Sequence, residues 1–360
     1  MNRIAALACC VASAGCAEPV AVAPSHRGLD APRGMALALF GPAHERRGLS
    51  FPPDPCELAE RGANTVLLPV LLEQWGLGAT ELHWSREGVD HGTLRRVVRR
   101  AHACRLQVVL TPLVEIHGGD PSAWRGRIRP RDRDAWWRSY SERVLTLASL
   151  AELERAEGLV VSHELSSLSS GRDLPRWREL VRRTRGVFGG RLIAVVNHDA
   201  LDAELPWVEL DRVGVSAYFP LTDDLDAEPE ALAEGWRRAG RRLHELSERL
   251  GRPITLYEVG YPSLDGGATR PWDGTLGAPV DLVEQERAYE AAVNALETMS
   301  FIDGAIFWIW GGPGGPHDRG FTPRDKPAEP HLLRWLSGSS AVEPTPRGAP
   351  RDAASSRPER

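Results

Sequence analysis

The stretch GLVVSHEL, residues 158–165, is a short apolar run that ends in a histidine and a glutamate. The unbroken apolar residues from Gly158 to Val161 are typical of a parallel strand that is buried on both faces. Such a strand delivers Glu164 to the end of a sheet. A carboxylate in that position either ends the strand in solvent or belongs to a site, and the rest of the chain bears on which of the two applies.

Seven further stretches repeat the pattern, so the sequence predicts eight strands. The eight start at residues 34, 64, 107, 158, 191, 212, 253 and 304 and read GMALALFG, NTVLLPVLL, QVVLTPLVEI, GLVVSHEL, RLIAVVNHD, RVGVSAYFP, PITLYEVGY and GAIFWIWGG. Amphipathic segments with apolar residues at every third or fourth position separate several of them, over 92–105, 134–157, 230–251 and 282–299. Eight such strand–helix units predict the α/β class and a single (β/α)8 TIM barrel.

A doubly wound open sheet is the alternative fold. It would carry a GxGxxG phosphate loop after its first strand, and the sequence there, LFGPAHERRG (39–48), lacks that pattern. The length of 360 residues would suggest two domains, but α/β barrels of this size commonly form one. The single barrel is therefore the preferred prediction.

Both ends of the chain are predicted to lie outside the barrel, which is expected to span residues 33–337. Residues 1–15 combine Arg3, a short apolar stretch and then small residues, which is the pattern of an export signal. Residues 16–32 are rich in alanine and proline and predict a flexible linker, and residues 338–360 predict a disordered tail.

The residues Ala14-Gly15-Cys16 resemble the end of a bacterial lipobox, in which the cysteine is acylated and becomes the new N-terminus. We therefore expect an exported protein of the bacterial cell envelope that is lipid-anchored at Cys16 or, failing that, secreted or periplasmic. Cys56 and Cys104 would then either form a disulfide in an oxidising compartment or remain two buried thiols.

The charge balance limits the partners that the protein can have. The chain carries 44 Lys and Arg against 49 Asp and Glu, a net charge of -5, so it lacks the basic excess that binding to nucleic acid requires. Membrane contact is expected only through the N-terminal anchor. No CxxC pair or Cys/His cluster indicates zinc, and we expect neither a metal nor a cofactor.

Polar and aromatic residues gather at the predicted strand ends, where the working face of a TIM barrel lies. They are Glu115, His117, His163, Glu164, Asn197, His198, Asp199, Tyr218, Glu258, Tyr261, Trp308 and Trp310. Glu164 and Glu258 end two different strands that open onto one mouth, so their carboxylates are predicted to face each other. Glycoside hydrolysis needs such a pair, about 5 to 5.5 Å apart when the configuration is retained. The aromatic rings would offer flat faces to sugars.

A structural interpretation stands beside the catalytic one for several of these residues. A single glutamate at a strand end can be solvated or paired with an arginine, although two facing ones favour function. One of the two tryptophans of this strand can be part of the core, so we expect only one of Trp308 and Trp310 to reach the pocket. Since successive side chains alternate along a strand, His163 points away from Glu164 unless the strand is bulged. It would then be a hydrogen-bond partner without substrate contact.

Four stretches of the predicted barrel carry a family resemblance. They are RVGVSAYFPL (212–221), ITLYEVGYPS (254–263), IDGAIFWIW (302–310) and FTPRDKPAEPHLLRWL (321–336). Together they resemble Glycoside Hydrolase Family 113, a group of clan A (β/α)8 enzymes that includes β-1,4-mannanases. The resemblance implies a retaining hydrolase whose substrate is a β-linked polysaccharide or oligosaccharide, with β-1,4-mannan as one candidate, and the N-terminal signal pattern adds export.

The resemblance also implies a role for each matching residue. Glu164 becomes the general acid/base and Glu258 the nucleophile. Asn197 and His198 take the place of an Asn-Trp pair that binds substrate, and Tyr218 orients the nucleophile or touches the sugar. Trp308 or Trp310 forms the sugar platform, and His163 and Tyr261 complete the predicted substrate-binding residues.

The chain departs from the family pattern beside both glutamates. Ser162 and His163 precede Glu164 where Gly-Thr or Gly-Asn is more common, and Tyr257 precedes Glu258 where threonine is common. The stretch LTPLVEI (110–116) replaces a Lys-Pro-His segment. These departures concern the identity of the sugar. They also leave open a carbohydrate-binding barrel with weak or no turnover, or a structural envelope protein.

The proposed chemistry requires different protonation states for the two glutamates. Near neutral pH Glu164 must keep its proton while Glu258 stays charged, so we expect the pKa of Glu164 to be raised by roughly two units through burial and repulsion from Glu258. A protonated imidazole beside Glu164 would oppose this shift. His163 is therefore expected to be neutral or turned away.

Overall fold

A computed structural model of the protein describes residues 27–40, 51–118 and 123–338. The predicted signal peptide, the predicted acylation site Cys16, residues 16–26 of the predicted linker and the predicted tail from residue 339 lie outside these residues. Among the described residues, no helix is both long and apolar enough to cross a membrane.

Eight parallel strands form a closed barrel. They are β1 (Arg33–Leu37), β2 (Thr65–Trp75), β4 (Gln107–His117), β5 (Gly158–His163), β6 (Arg191–Asn197), β7 (Arg212–Ser216), β8 (Ile254–Val259) and β9 (Ile302–Trp310). A two-residue strand, β3 (His83–Trp84), pairs antiparallel with β2 outside the ring. The strand β1 pairs with both β9 and β2, which closes the ring. The predicted (β/α)8 TIM barrel is confirmed, and every predicted strand is present.

The described part of the chain contains seven α-helices. They are α1 (Cys56–Glu60), α2 (His91–Ala103), α3 (Arg133–Leu153), α4 (Leu174–Arg185), α5 (Pro229–Leu250), α6 (Leu282–Thr298) and α7 (Glu329–Ser337). Three begin at an aspartate whose side chain accepts a hydrogen bond from the first turn, namely Asp90, Asp132 and Asp281. The four amphipathic segments of the sequence correspond to α2, α3, α5 and α6.

Side-chain alternation along the strands divides the apolar residues into two cores. The inner core fills the barrel with one residue from most strands, Ala36, Leu67, Val109, Val160, Ile193, Val195, Tyr257 and Ile306. The larger outer core packs the strands against the helices. Gly214 makes room for the largest inner side chain, because a Cβ at this position would lie 2.8 Å from the ring of Tyr257.

The segment before β1 closes the end of the barrel where the strands begin. Leu29 is buried in the inner core, and its backbone oxygen accepts a hydrogen bond from Arg212, the first residue of β7. The amide of Asp30 donates to the side chain of Gln107, the first residue of β4. Residues 27–32 are therefore packed, earlier in the chain than the predicted barrel boundary at residue 33.

Cys56 and Cys104 form a disulfide with Cα atoms 5.4 Å apart. The bond joins the first residue of α1 to the residue that follows α2. Of the two alternatives that the sequence left open, the structure has the disulfide.

Replacing both Cys56 and Cys104 by alanine should lower the free energy of unfolding by about 2–4 kcal/mol, because the bond restrains the loop it closes in the unfolded chain. Urea denaturation of the oxidised wild type and of the double variant measures the difference. Wild-type protein in excess reductant should fall to the stability of the variant. Equal stabilities of variant and oxidised wild type would contradict the expectation.

Candidate active site

A bulge at the end of β5 brings His163 into the barrel. Val160 pairs with Ile193 and Ser162 pairs with the next residue of β6, so β5 contains one extra residue at this point. Glu164 follows with a φ of 54°, and its amide donates to the backbone oxygen of Val195 at 2.8 Å. A left-handed backbone is uncommon for glutamate and costs energy. The end of β5 thus turns two consecutive polar side chains into the barrel interior.

A second irregularity does the same for Glu258 on β8. Val215 pairs with Leu256, whereas Ser216 pairs with Glu258 and skips Tyr257. The ring of Tyr257 fills the inner core. Because of the shift, Glu258 also faces the interior, where it meets His163 and Glu164.

The two irregular strand ends bring the predicted carboxylates together. Glu164 and Glu258 are 5% and 4% exposed, and each places a carboxylate oxygen within 4.8 Å of the other and of an imidazole nitrogen of His163. This separation is close to the 5 to 5.5 Å of retaining glycosidases.

Glu258 is held by His163 and Tyr218. The Nε2 atom of His163 lies 2.8 Å from Oε1 of Glu258. Among the described residues this oxygen has no aligned hydrogen bond, so the contact is a close approach of polar groups. The hydroxyl of Tyr218 lies close enough to Glu258 for the two groups to interact. Burial and the neighbouring charges of Glu258 and Glu164 raise the pKa of Tyr218 well above its usual range, so the hydroxyl keeps its proton.

His163 has protein partners on both ring nitrogens. Its Nδ1 atom lies 2.7 Å from the hydroxyl of Thr111, and the hydroxyl of Ser216 lies 3.4 Å from Nε2. The ring is 1% exposed. His163 is not turned away from Glu164, because the bulge that the sequence left as an exception is present. It supports Glu258 from below and, being buried, does not line the mouth as the predicted substrate-binding residue would.

Glu164 is paired with an arginine that the sequence did not predict. Nη1 of Arg125 donates to Oε2 of Glu164 at 2.7 Å, and Nε of Arg125 donates to the backbone oxygen of Val114 at 2.9 Å. Arg125 starts a 3-10 turn, Arg125–Arg127, in the loop after β4. It is one of many arginines in the chain, and nothing in its local sequence distinguishes it.

The Arg125 pair reverses the expected protonation of Glu164. Burial raises the pKa of this carboxyl, but the charges of Arg125 and His163 and hydrogen bonds from Ser216 and Arg125 outweigh burial, so the pKa lies below its ordinary value. The expectation of a raised pKa is therefore wrong for the free site. The sequence did not reveal that the guanidinium of Arg125 lies within hydrogen-bond distance of Glu164.

Replacing Arg125 by glutamine should destabilise the protein near pH 7 by about 3 kcal/mol, because it leaves Glu164 buried without its cation. In the wild type the lowered pKa contributes stability above the ordinary glutamate range, and this contribution is lost as the pH falls through the lowered value. The stability gap between wild type and Arg125→Gln should therefore narrow on acidification. Urea denaturation over a pH series measures it.

Arg125→Lys is the matched control, because it keeps a positive charge and should show a smaller gap at neutral pH. A gap between wild type and Arg125→Gln that stays constant, or that widens as the pH falls, would contradict the assigned pairing.

Asn197 and His198 lie at the mouth and contact each other. Nδ2 of Asn197 donates to Asp199 at 2.7 Å, and Oδ1 of Asn197 lies 3.1 Å from Nδ1 of His198. The imidazole of His198 stacks on Trp272, with centroids 5.6 Å apart and an interplanar angle of 21°. Burial lowers the pKa of His198 against the opposing effects of Asp199 and Glu164. The amide of Asn197 thus orients His198, and Trp272 is an aromatic residue that the sequence did not place here.

The two tryptophans of β9 lie on different sides of the barrel wall. Trp308 is partly exposed, packs against the inner core and stacks on Phe40 at 6.0 Å. Trp310 is fully buried in the outer core, and its Nε1 donates to Glu57 at 3.1 Å. Trp308 and Ile309 both pack against the inner core, and this break in alternation turns Trp310 outwards. Trp308 is therefore the ring available to a sugar, and the predicted contact from Trp310 is not.

Tyr261 also lies away from the two glutamates. Its ring is in the outer core beside Tyr289, and its hydroxyl accepts a hydrogen bond from Trp236 of α5 at 3.1 Å. The predicted substrate contact from Tyr261 is thus corrected. After the shift in β8 has turned Glu258 inwards, the following residues of the chain continue on the outer side.

The end of β4 adds a third glutamate, Glu115, near the site. Burial raises the pKa of Glu115, partly offset by the charges of Arg125 and His117. The ring of His117 packs against the exposed ring of Trp75, with centroids 5.5 Å apart. Arg125 therefore interacts with the charge of Glu115 as well as with Glu164.

The spacing of His163, Glu164 and Glu258 is also one that metal ligands can adopt. The cation that the structure places on Glu164 is the guanidinium of Arg125. The arrangement is therefore one of two carboxylates with a fixed positive charge on one of them.

Comparison with known proteins decides the family. The family model described as Glycoside Hydrolase Family 113 matches residues 55–318. The chain belongs to Glycoside Hydrolase Family 113. The resemblance seen in the sequence is confirmed, and the protein is a glycoside hydrolase by family. No curated protein matches the chain.

Solved structures of this family share the barrel. A β-mannanase of the family from Alicyclobacillus acidocaldarius is 26% identical, with a TM-score of 0.73, over 86% of this chain and 98% of the other. A β-1,4-mannanase of the same family is 22% identical with the same TM-score, over 86% of this chain and 100% of the other. An endoglucanase, 14% identical with a TM-score of 0.55 over 86% of this chain and 97% of the other, shares the fold.

Proposed function

We propose that the protein is an exported, retaining glycoside hydrolase that cleaves β-linked polysaccharide or oligosaccharide, with β-1,4-mannan as the first candidate. The observation that carries the proposal is the pair Glu164 and Glu258, whose carboxylates approach within 4.8 Å across the mouth. The mannanase relatives support the choice of mannan.

In the first step Glu258 attacks the anomeric carbon of the sugar, and the departing oxygen takes a proton from Glu164. The hydroxyl of Tyr218 and the ring of His163 hold Glu258 for this attack. In the second step water displaces Glu258 from the sugar, and Glu164 removes a proton from that water. The configuration at the anomeric carbon is inverted twice and is therefore retained.

Arg125 suits the second step better than the first. It stabilises the ionised form of Glu164, which is the form that acts as a base. For the first step, the glycosidic oxygen has to compete with Arg125 for Oε2 of Glu164, so that the carboxyl can carry a proton. The pH at which the free enzyme is active should therefore lie on the acidic side, because the acid must be protonated.

A binding protein with weak turnover is the second candidate. The ion pair between Arg125 and Glu164 favours it. A glutamate that Arg125 keeps ionised is a poor acid. Retention of two facing carboxylates argues for the hydrolase, since binding a sugar does not require them.

Wild-type protein should hydrolyse β-1,4-linked mannopentaose and release the β-anomer first, which NMR of the fresh product detects. Glu258→Ala should lower kcat by about 10³-fold or more, because it removes the nucleophile. Azide should restore turnover of an activated aryl β-mannoside by this variant and give the α-glycosyl azide. Glu87→Gln, which changes an exposed carboxylate outside the pair of glutamates, is the control and should keep wild-type kcat.

Undiminished turnover in Glu258→Ala would exclude Glu258 as the nucleophile. Wild-type protein that binds mannopentaose without cleaving it would favour the binding protein. A product released first as the α-anomer would contradict the retaining mechanism.

Export and lipid anchoring at Cys16 are part of the proposal. The disulfide between Cys56 and Cys104 supports it, because such bonds persist in oxidising compartments outside the cytoplasm. In a bacterial host, the full chain should appear in the membrane fraction and incorporate a labelled fatty acid. Cys16→Ser should lose the label and the membrane association. Label retained by Cys16→Ser, or absent from the wild type, would contradict acylation at Cys16.

A further inference from the structure

Two stacked rings form a partly exposed platform on the rim of the mouth. Trp272, in the loop between β8 and α6, leaves 49% of its surface in solvent. Its indole stacks on the imidazole of His198, which follows directly after β6. Large exposed aromatic rings carry a cost in water, and at the mouth of a glycoside hydrolase their flat faces match the apolar faces of sugar rings.

The platform is fixed from below. The imidazole of His198 meets the edge of Phe219 with centroids 5.4 Å apart, and the guanidinium of Arg242 lies 5.5 Å over the same Phe219 ring. Arg242 also donates a hydrogen bond to the backbone oxygen of His198 at 3.0 Å. The rings are therefore positioned before any ligand arrives, which reduces the entropy that binding costs.

The loop that carries Trp272 is held in the same way. The carboxylate of Asp273 accepts hydrogen bonds from the amide of Thr275 at 3.0 Å and from its hydroxyl at 2.7 Å. Arg270 lies 3.8 Å from the same carboxylate.

The hydrogen bonds of Asn197 fix the chemistry of the imidazole. Nδ2 of Asn197 donates to Asp199, so Oδ1 of Asn197 is the atom that faces His198 and accepts its hydrogen bond. Nδ1 of His198 therefore carries the hydrogen. Burial lowers the pKa of His198, which keeps the ring neutral and leaves Nε2 as an acceptor. A neutral ring with an acceptor nitrogen suits a sugar, which offers hydroxyl donors beside its apolar face.

The position of the platform relative to Glu164 gives its place in the substrate path. Arg125, anchored to β4 through Val114, fills the β4 side of Glu164. The amide of Glu164 is bonded to Val195 of β6, and its charge acts on His198, so the β6 side leads to the platform. The acid protonates the departing oxygen, and the sugar attached to that oxygen lies beside the acid.

We propose that Trp272 and His198 form a subsite for a sugar ring on the leaving-group side of the bond that is cleaved. The inference rests on the proposed function and names a contact for the part of the substrate beyond Glu164. Trp272 is then a specificity-determining residue that favours oligosaccharides over substrates with a small leaving group.

The test compares mannopentaose with β-mannotriosyl fluoride, which keeps sugar rings on the other side of the cleaved bond but whose leaving group is a single atom and reaches no such subsite. Trp272→Ala should lower kcat/KM for mannopentaose by about 10- to 100-fold, because one apolar contact is lost, and leave kcat/KM for the fluoride unchanged. Trp272→Phe keeps a flat ring and should recover most of the loss. Thermal unfolding of each variant should match that of the wild type.

Trp75→Ala is the matched control, since Trp75 is also an exposed tryptophan in contact with a histidine, His117, but lies at the end of β2. It should leave the ratio of kcat/KM for mannopentaose to that for the fluoride unchanged. The assignment would be overturned if Trp272→Ala lowered kcat/KM equally for both substrates. It would also be overturned if Trp75→Ala changed the ratio of the two kcat/KM values as much as Trp272→Ala does.

A binding measurement tests the subsite independently of the proposed hydrolase activity. If the wild type cleaves neither substrate, the hydrolase proposal fails, and calorimetry with mannopentaose still tests the platform. A Kd that rises about 10-fold in Trp272→Ala supports the subsite, because the stacked ring is lost. An unchanged Kd, or no binding of mannopentaose to the wild type, overturns it.

Discussion

Two carboxylates buried within 4.8 Å of each other repel, and the site depends on how the protein offsets that repulsion. Arg125 meets one of them with a full positive charge, while His163 and Tyr218 hold the other. The two glutamates are thus chemically distinct before a substrate arrives. The feature that distinguishes Glu164 from Glu258 is the guanidinium of Arg125 bound to its carboxylate.

The irregular ends of β5 and β8 are what make this electrostatic arrangement possible. A regular strand would send neighbouring side chains to opposite faces, so His163 and Glu164 could not both approach the mouth. The extra residue in β5 and the skipped pairing of Tyr257 in β8 place three polar side chains above the inner core. The positive φ of Glu164 is consistent with local strain being concentrated at a functional site.

Much of the fold could be read from the sequence, because eight buried parallel strands leave unbroken apolar runs. The two glutamates could be found for a related reason, since a carboxylate at the end of such a run is conspicuous. Arg125 and Trp272 lie in loops whose course local sequence does not determine. The misplaced residues Tyr261 and Trp310 share a cause, because each follows a departure from strict alternation that periodicity alone cannot reveal.

The packing of Leu29, Asp30 and Arg212 has a consequence for the orientation of the whole barrel. The chain enters at the floor of the barrel, on the face opposite the two glutamates. An anchor at Cys16, as proposed, would therefore join the barrel on the side away from the two glutamates. In that case the anchored side of the barrel would not obstruct the approach of a long glycan to the open cleft.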